Sequence, residues 1–500
     1  MSSPNTAPVP VAQPAIDPKG MRVIWLLLIA AFVAILNETT MGIAIPHLNR
    51  DLGIPPELGQ WLTSAFMLSM AVVIPTTGFL LQRFTTRQIF IAAATAFSLG
   101  TLVCLVAPGF TVLLLGRVIQ ALGTGIMIPL LMTTMMNVVP PQSRGRMMGR
   151  VGLVISLAPA IGPTLSGFIL DVLSWRWLFG IILPIALLAL AFGLRWMTNL
   201  GETRKAPLDV LSVVLSAVAF GSLVYGLSQF GAGHGDADTS AAPEGASPVV
   251  LGIALMAVGA IGLALFVWRQ LFLQRQDRAL LDLRVLLSRN YTVSVIIMGI
   301  IALAMFGTLT LLPQYLQNVV GLEAMMSGLI LLPGAVIMGL LGPVMGRIYD
   351  TQGPRVLLVP GTVIVTLSLL FYTTVTESTP WPLLMAVQTA MSIALAMCFT
   401  PLFSASLGSL PKSLYSHGSA ALNTLQQVGG AAGVAIMLGL YSSILHSGEA
   451  EGLSAAEAGA PGVRAAFLVA AIVAAFAAVL SALVRKPQDS IPETESAETA

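Results

Sequence analysis

Charge is what this sequence has least of. Only 9% of its 500 residues are Asp, Glu, Lys or Arg, while 56% are hydrophobic, and the formal net charge is +2. A soluble domain carries roughly a quarter charged residues because its surface faces water. A soluble globular fold is therefore excluded, and so is the basic surface that would hold a nucleic acid. Cysteine is nearly absent. Cys104 and Cys398 each sit inside an apolar run, which argues against a disulfide or a metal site. The four histidines, His47, His234, His417 and His446, make no ligand pair, and no Ser-His-Asp or Cys-His arrangement stands out. No Gly-Lys dipeptide occurs, so the usual phosphate loop is missing and with it any sign of ATP driving. No cofactor or metal is called for. An enzyme acting on membrane lipids would need acids or histidines clustered at one membrane face, and none cluster.

What the chain has instead is apolar runs long enough to cross a bilayer, about 20 residues each. Lipid offers no partner to bare backbone, so such runs are helices or closed barrels, and continuous rather than alternating apolarity excludes the barrel. Fourteen spans are expected near 23–46, 58–81, 88–107, 110–139, 149–173, 177–198, 208–229, 248–268, 291–317, 325–347, 356–375, 382–408, 417–441 and 463–484. The fold class is an all-α polytopic membrane protein.

Basic residues in the loops give the expected orientation. With the N-terminus inside, only Arg50, Arg176 and Arg464 fall outside and Arg117 lies within a span, leaving twenty of the 24 Lys and Arg on the cytoplasmic side. Both termini are then cytoplasmic, with 1–22 and 485–500 as tails. Pro-rich and lacking an apolar core, the first twenty residues do not resemble a cleaved signal. Gly231 to Pro248 and Ser442 to Gly462 read as external loops. The basic segment 269–290 carries a leucine stripe (Leu280, Leu283, Leu287), which suits either a segment lying along the inner membrane surface or a solvated linker.

The turn after the second span, GFLLQRFTTRQ from Gly78 to Gln88, has a counterpart after the tenth, GPVMGRIYDTQGPR from Gly342 to Arg355. Each opens on a helix-end glycine and closes in a short basic turn. Their equivalent positions suggest two six-helix bundles, 23–198 and 291–484, with two spans inserted at 199–268 and a linker at 269–290. Internal repeats with a site between them are the recurrent plan of secondary transporters.

Further strings carry a family resemblance. LNETTMGIAIP (Leu36 to Pro46), RVIQALGTG (Arg117 to Gly125), LAPAIGPTLSG (Leu157 to Gly167), WRWLFGIILP (Trp175 to Pro184) and GSAALNTLQQVGGAAGVAI (Gly418 to Ile436) fall in the order and spans of one pattern. Over nearly its full length the chain resembles the fourteen-span drug–proton antiporters of the major facilitator superfamily. The resemblance implies that Gly78, Arg83, Arg87, Gly162, Pro163, Gly167, Arg347, Asp350, Gly353 and Arg355 belong to motifs that govern conformational change. Departures are specific. The family's first-span Asp falls on Asn37, with Glu38 beside it; its loop Asp is Gln82, the glycine of that turn is Thr85, and Ala121 replaces a fourth-span glycine.

A charge inside a membrane costs at least ~2.5–3.5 kcal/mol on insertion scales and persists where it works or is paired. Glu38 and Arg117 are the two that lie within spans. At 1.5 Å per residue they sit about 12 and about 11 Å below the outer ends of their helices, so they share a depth. Two readings stand side by side. Glu38 carries the proton, since a carboxyl in an apolar cavity holds its proton firmly until an organic cation favours release; or the two residues form a static ion pair. Arg117, Gln120 and Thr124 share one helical face at i, i+3 and i+7. They either serve protons and substrate or tie helices together.

Asn37, Gln314, Gln388, Asn423, Gln426 and Gln427 are uncharged polar groups that either line a substrate path or bond across helices. Phe66, Phe306, Tyr315 and Phe403, with Met67, Met305 and Met397, would suit an adaptable apolar wall, or ordinary packing. Gly152, Ser156, Pro159, Pro163 and Gly167 make a small-residue stripe in the fifth span. Gly429 and Gly433 form a Gly-x-x-x-Gly pair fit for tight packing. The resemblance implies exchange of protons for amphipathic or cationic compounds, by a monomer in a bacterial-type inner membrane. Uptake of a polar solute, or export of a particular metabolite, lipid or siderophore, is the competing expectation, and a sensor the outside one.

Overall fold

The computed structural model describes residues 18–54, 56–199, 209–231, 248–276 and 278–487. Residues 1–17 and 488–500, Arg204, Lys205 and most of the expected loop between Gly231 and Pro248 lie outside the described residues. The expected first tail is shortened, since α1 begins at Pro18 and takes in residues 18–22. Fourteen long helices, and no strand, occur among the described residues. They are α1 (Pro18–Leu52), α2 (Pro56–Arg83), α3 (Thr86–Leu105), α4 (Phe110–Val138), α5 (Arg144–Val172), α6 (Arg176–Trp196), α7 (Val210–Gly231), α8 (Pro248–Gln274), α9 (Arg289–Asn318), α10 (Ala324–Gln352), α11 (Arg355–Tyr372), α12 (Trp381–Gly408), α13 (Tyr415–Ala450) and α14 (Ala455–Ser481). Thirteen of them are long and apolar enough to cross a membrane. The fourteenth, α5, opens on Arg144, Arg146 and Arg150 and then runs from Val151 to Phe168 without a charged residue.

One expected loop is corrected. From 442 to 462 the chain is mostly helix, because α13 runs on to Ala450 and α14 begins at Ala455, leaving only 451–454 between them. Ala, Leu and Glu are strong helix formers although such a stretch is not apolar. A capping box fixes the restart: the Ser454 hydroxyl accepts from the Glu457 N–H, and the Glu457 carboxylate accepts from the Ser454 N–H.

Helix pairing within α1–α6 recurs within α9–α14. In the first set α1 packs on α5, α3 on α4, α2 on α4 and α3 on α6; in the second, α9 packs on α13, α11 on α12, α10 on α12 and α11 on α14. Side chains repeat the pattern. Arg87 at the start of α3 donates to the Leu194 carbonyl near the end of α6 (2.8 Å), and Arg355 at the start of α11 donates to the Val484 carbonyl just past α14 (3.1 Å). On the opposite face Arg176 of α6 donates to the Ala107 carbonyl (3.0 Å), and Arg464 of α14 to the Val375 carbonyl (2.6 Å). Each guanidinium thus meets carbonyls that helix ends leave unpaired, where a cation is favoured. Arg176 and Arg464, two of the three exceptions to the charge asymmetry, therefore serve to tie helix ends together.

The two sets meet along α5–α10 and α2–α13. The inserted helices α7 and α8 pack on each other, and α7 also lies against α2 and α13. Small residues bring the inserted pair close: a Cβ on Gly226 would lie 3.0 Å from the Gly252 carbonyl oxygen, and one on Gly259 2.7 Å from Leu223. At the entry to α7, Asp209 takes two 2.7 Å hydrogen bonds from Arg269 of α8. These bonds, aided by Ser212, hold the Asp209 carboxyl down to about 2.

The segment 278–288 is packed rather than solvated, but its leucine stripe is divided. Leu280 is 1% exposed and Val285 is fully buried, whereas Leu287 is 83% exposed.

Candidate functional site

Three helices converge on one guanidinium, and a fourth joins them through Gln120. Arg117, on α4, is fully buried. Its Nη1 donates to Asn37 Oδ1 of α1 (3.0 Å) and to Gln120 Oε1 (2.8 Å), and its Nε donates to the Leu62 carbonyl of α2 (3.4 Å). The guanidinium carbon lies 4.0 Å from the ring centroid of Phe66, also on α2. Gln120 in turn donates from Nε2 to Thr101 Oγ1 of α3 (2.7 Å). Thr124 spends its hydroxyl on the Gln120 carbonyl (3.1 Å). The i, i+3 spacing of Arg117 and Gln120 is what lets one side chain orient the other. The charge is spread over neutral oxygens and an aromatic face, both of which attract a buried cation.

Glu38 is not part of that network. Its neighbour Asn37 is buried and bonded to Arg117, but Glu38 is half-buried. It makes no hydrogen bond or ion pair among the described residues. One residue further on, Thr39 lies against Gly162 of α5. Successive side chains turn by about 100°, so the carboxyl projects between the α4-facing and α5-facing sides of α1. Arg117 is near enough for the two charges to interact. A static ion pair is therefore absent, and the amide at position 37 takes the contact that the shared depth suggested for the acid.

The expected polar groups of the second half are scattered. Gln314 is exposed and accepts from Asn318 on its own helix (2.8 Å). Gln388 is buried and accepts from the Tyr372 hydroxyl (3.1 Å), joining α12 to α11. Asn423 donates to the Ser419 carbonyl one turn back (2.8 Å), and Gln426 is half-buried. Phe306 packs on Gly430, Met67 is 45% exposed, and the Tyr315 hydroxyl bonds the Thr376 carbonyl at 2.7 Å. Of the aromatic candidates Phe403 lines a cavity, together with Met148, Ile155, Met338, Phe399 and Thr400, between α5, α10 and α12. At about 20 Å³ it holds about one water. No drug-sized molecule fits it in this conformation.

Just beyond that cavity the seam closes backbone to backbone. Gly149 of α5 faces the Gly342 carbonyl of α10, and Gly145 faces Gly346. These glycines were not among the expected stripe, although both helices show the signal, Gly-x-x-x-Gly at 145–149 and again at 342–346. The expected stripe lies elsewhere. Gly162 meets Thr39, a Cβ on Gly167 would meet nothing within 4 Å, and the side chains of Ser156 and Pro163 lie outside the described residues. Gly429 and Gly433 pack on the Gly299 and Leu303 carbonyls of α9.

Asp350 completes the α5–α10 closure. Its carboxylate, near the end of α10, accepts from the backbone N–H groups of Gly145 (2.7 Å) and Arg146 (2.9 Å) in the first turn of α5. Helix N-termini favour anions through their unpaired N–H groups and dipole. Gly353, at φ 82°, ends α10 and sets the turn into α11. Arg347 is exposed. At the corresponding place on the α2–α13 seam, Gln82 donates to the Ser413 carbonyl (2.9 Å), Gly78 lies against His417, and Arg83 is exposed beside Phe84. Replacing Asp350 with Asn removes about 1–2 kcal/mol of closure, a five- to thirty-fold shift toward the open seam. A membrane-impermeant maleimide should then reach a cysteine placed at Thr400 faster by that factor. An unchanged rate would count against the cap as a clasp.

The Major Facilitator Superfamily profile matches residues 27–434, from α1 through the inserted pair and into α13. The chain belongs to this superfamily. It is 40% identical over 467 residues to the MFS-type transporter YcnB of Bacillus subtilis (strain 168), covering 93% of this chain and 95% of that one. The lincomycin resistance protein LmrB of the same organism is 39% identical over 462 residues, covering 91% and 94%. EmrY of Escherichia coli (strain K12), a probable multidrug resistance protein, is 28% identical over 433 residues, covering 84% and 80%. The chain thus stands within the drug-resistance-associated branch of the family.

Two solved structures share the fold. The human organic anion transporter MFSD10 (TETRAN) aligns with TM-score 0.61 at 15% identity, over 92% of this chain and 100% of that one. The proton:xylose symporter XylE aligns with TM-score 0.63 at 12% identity, over 95% and 98%. This multi-pass bacterial membrane protein therefore moves small molecules across the membrane by the secondary-transport mechanism of its family and does not catalyse a reaction.

Proposed function

We propose that this transporter exports amphipathic, often cationic, drugs or other toxic compounds in exchange for protons. Two bundles, 23–198 and 291–484, would alternate access to a site between them, in a bacterial inner membrane with both termini cytoplasmic and the chain acting as a monomer. Glu38 is the proton carrier and Arg117 its modulator. Asn37, Gln120 and Thr124, with Gln314, Gln388, Asn423 and Gln426 across the chain, are the candidates for the substrate path.

The observation that carries this reading is the state of the two buried charges. Arg117 gives its Nη1 and Nε to neutral oxygens and its Nη2 to no partner among the described residues, while Glu38 is half-buried and bonded to nothing among them. An acid held in an ion pair would resist exchanging its proton; an unpaired one is available to proton and cation in turn. Competition between the two for one carboxyl gives antiport with no further parts. Names of relatives such as LmrB, a lincomycin resistance protein, support the cargo class.

In everted vesicles the exporter faces inward, so an energised membrane should accumulate a cationic dye, and an uncoupler should release it. Running a panel of dyes, antibiotics, siderophores and lipids separates broad export from transport of one metabolite. Accumulation that survives the uncoupler would reject proton coupling.

A further inference from the structure

The two seams between the helix sets are not closed by the same means. At α5–α10 a carboxylate, Asp350, holds the first turn of the facing helix. At α2–α13 the corresponding residue is Gln82, an amide that reaches a single carbonyl. What covers this second seam is the segment joining α8 to α9. Leu280 and Leu281, 1% and 5% exposed, share an apolar cluster with Phe79 of α2, Ala420 and Ala421 of α13, and Phe266 of α8. The segment thus belongs to one apolar cluster with residues from both sides of the seam.

It is also held from behind. Gln270 of α8 accepts from the backbone N–H groups of Leu280 (2.8 Å) and Leu281 (3.2 Å), and its own Nε2 donates to Ser212 of α7 (2.8 Å). Ser212 bonds Asp209, which Arg269 grips with two hydrogen bonds. Gln270 is fully buried, and with both ends of its amide engaged its geometry is fixed. Further along, Val285 is buried in the cluster that includes Tyr291 of α9, which anchors the segment to the second helix set. A clip of polar side chains therefore joins α7, α8 and residues 280–285 into one unit. That unit leans on α13 and presents two leucines to α2.

We propose that residues 278–287, clipped to the inserted pair α7–α8, are the latch of the α2–α13 seam. They supply by apolar contact the closure that Asp350 supplies by charge on the other seam. When the basic face opens, α2 must leave Leu280 and Leu281, while the segment stays with α13 and α9. The inserted helices acquire a definite role in this arrangement, since through Gln270 they hold the latch in register. This rests on two alternating arrangements of the helix sets and not on the identity of the cargo or on proton coupling.

The test reads opening directly and needs no substrate or gradient. Cysteine reporters are placed one at a time at Ala420 and at Met148, 0% and 2% exposed, on the α2–α13 and α5–α10 seams respectively. The natural Cys104 and Cys398 are buried and stay. Both reporters are then labelled from the basic face with an impermeant maleimide. In the Leu280→Ala/Leu281→Ala background, labelling at both positions should rise about tenfold, because a latch shifts the whole open–closed equilibrium. A rise at 420 alone would mean local packing only and would overturn the latch, as would no rise at either position. Should the double variant fail to reach the membrane, Gln270→Ala keeps both leucines and removes only their support. It should raise labelling at both reporters, and no change at either would overturn the proposal.

Discussion

Glu38→Gln abolishes proton-coupled efflux while the transporter remains in the membrane at its normal level. Glutamine keeps the length and shape of the side chain and loses only the exchangeable proton and the charge. Glu38 makes no hydrogen bond among the described residues, so its replacement leaves no partner stranded, and the fold should not register it. The Arg117 network should be equally indifferent, since Asn37 and Gln120 and not Glu38 hold the guanidinium. The energetic consequence is large. A one-for-one exchange of a monovalent cation for a proton moves no net charge, so the proton concentration ratio drives it, and one pH unit, about 1.4 kcal/mol, supports about tenfold accumulation. Without a titrating carboxyl that ratio should collapse to one. Glu38→Asp, which keeps the acid and shortens its reach, should retain partial coupling. Dye accumulation in everted vesicles, normalised to protein in the membrane, reads both variants. Coupled transport at the normal level in Glu38→Gln would remove Glu38 from the mechanism.

Arg117→Lys is a useful contrast in kind. A lysine keeps the charge but cannot meet Asn37, Gln120 and the Leu62 carbonyl together, because its ammonium is a compact point rather than a planar fork. Asn37 and Gln120 would be left short of partners inside the bundle. The network that joins α1, α2, α3 and α4 makes position 117 structural as well as electrostatic, whereas position 38 is free of that duty. The two buried charges are therefore separable by substitution, although the sequence sets them at one depth.

How much of this could be read in the sequence follows from what each residue type reports. Long apolar runs declare membrane helices, and the repeated strings that open at Gly78 and Gly342 declare the duplication, although both glycines lie inside their helices and not at the turns. The Arg87 and Arg355 contacts with equivalent helix ends then extend that duplication to individual hydrogen bonds. Helix ends were less legible. The stretch beyond Ser442 is rich in Ala, Gly, Ser and Glu, a composition that lowers hydropathy without lowering helix propensity enough to end the helices, so they outlast the apolar signal. The face made by Arg117 and Gln120 follows from spacing alone. Their partner Asn37 does not, because two adjacent polar residues differ by about 100° around the helix and only the neighbouring helix decides which one it meets. In the segment before α9, Leu280 is buried and Leu287 exposed. A stripe of like residues does not say which of them the tertiary packing will use.

The seam glycines carry the other large effect. A Cβ on Gly149 would lie against the Gly342 carbonyl, 2.5 Å from its carbon and 2.6 Å from the Pro343 Cα. Those are backbone atoms that cannot step aside. Alanine is nonetheless a better helix former than glycine by about 1 kcal/mol, so the Gly149→Ala variant should fold and insert. Its cost falls on one conformation, the closed seam, and overpacking of this kind costs about 1–3 kcal/mol. A penalty on one of two states shifts their ratio by the corresponding factor, about 5–150-fold, enough to hold the basic face open and stop the cycle. Glycines one or more turns along supply the controls. A Cβ at Gly152 meets only the Thr400 hydroxyl, at 3.7 Å, and one at Gly167 meets nothing within 4 Å. Transport should therefore be lost in Gly149→Ala and kept in Gly152→Ala and Gly167→Ala, and the Thr400 cysteine should label fastest in the first. Equal transport in all three would mean that closure of α5 on α10 does not limit turnover. Loss in all three would mean that alanine disturbs α5 as a helix and not as one side of the seam.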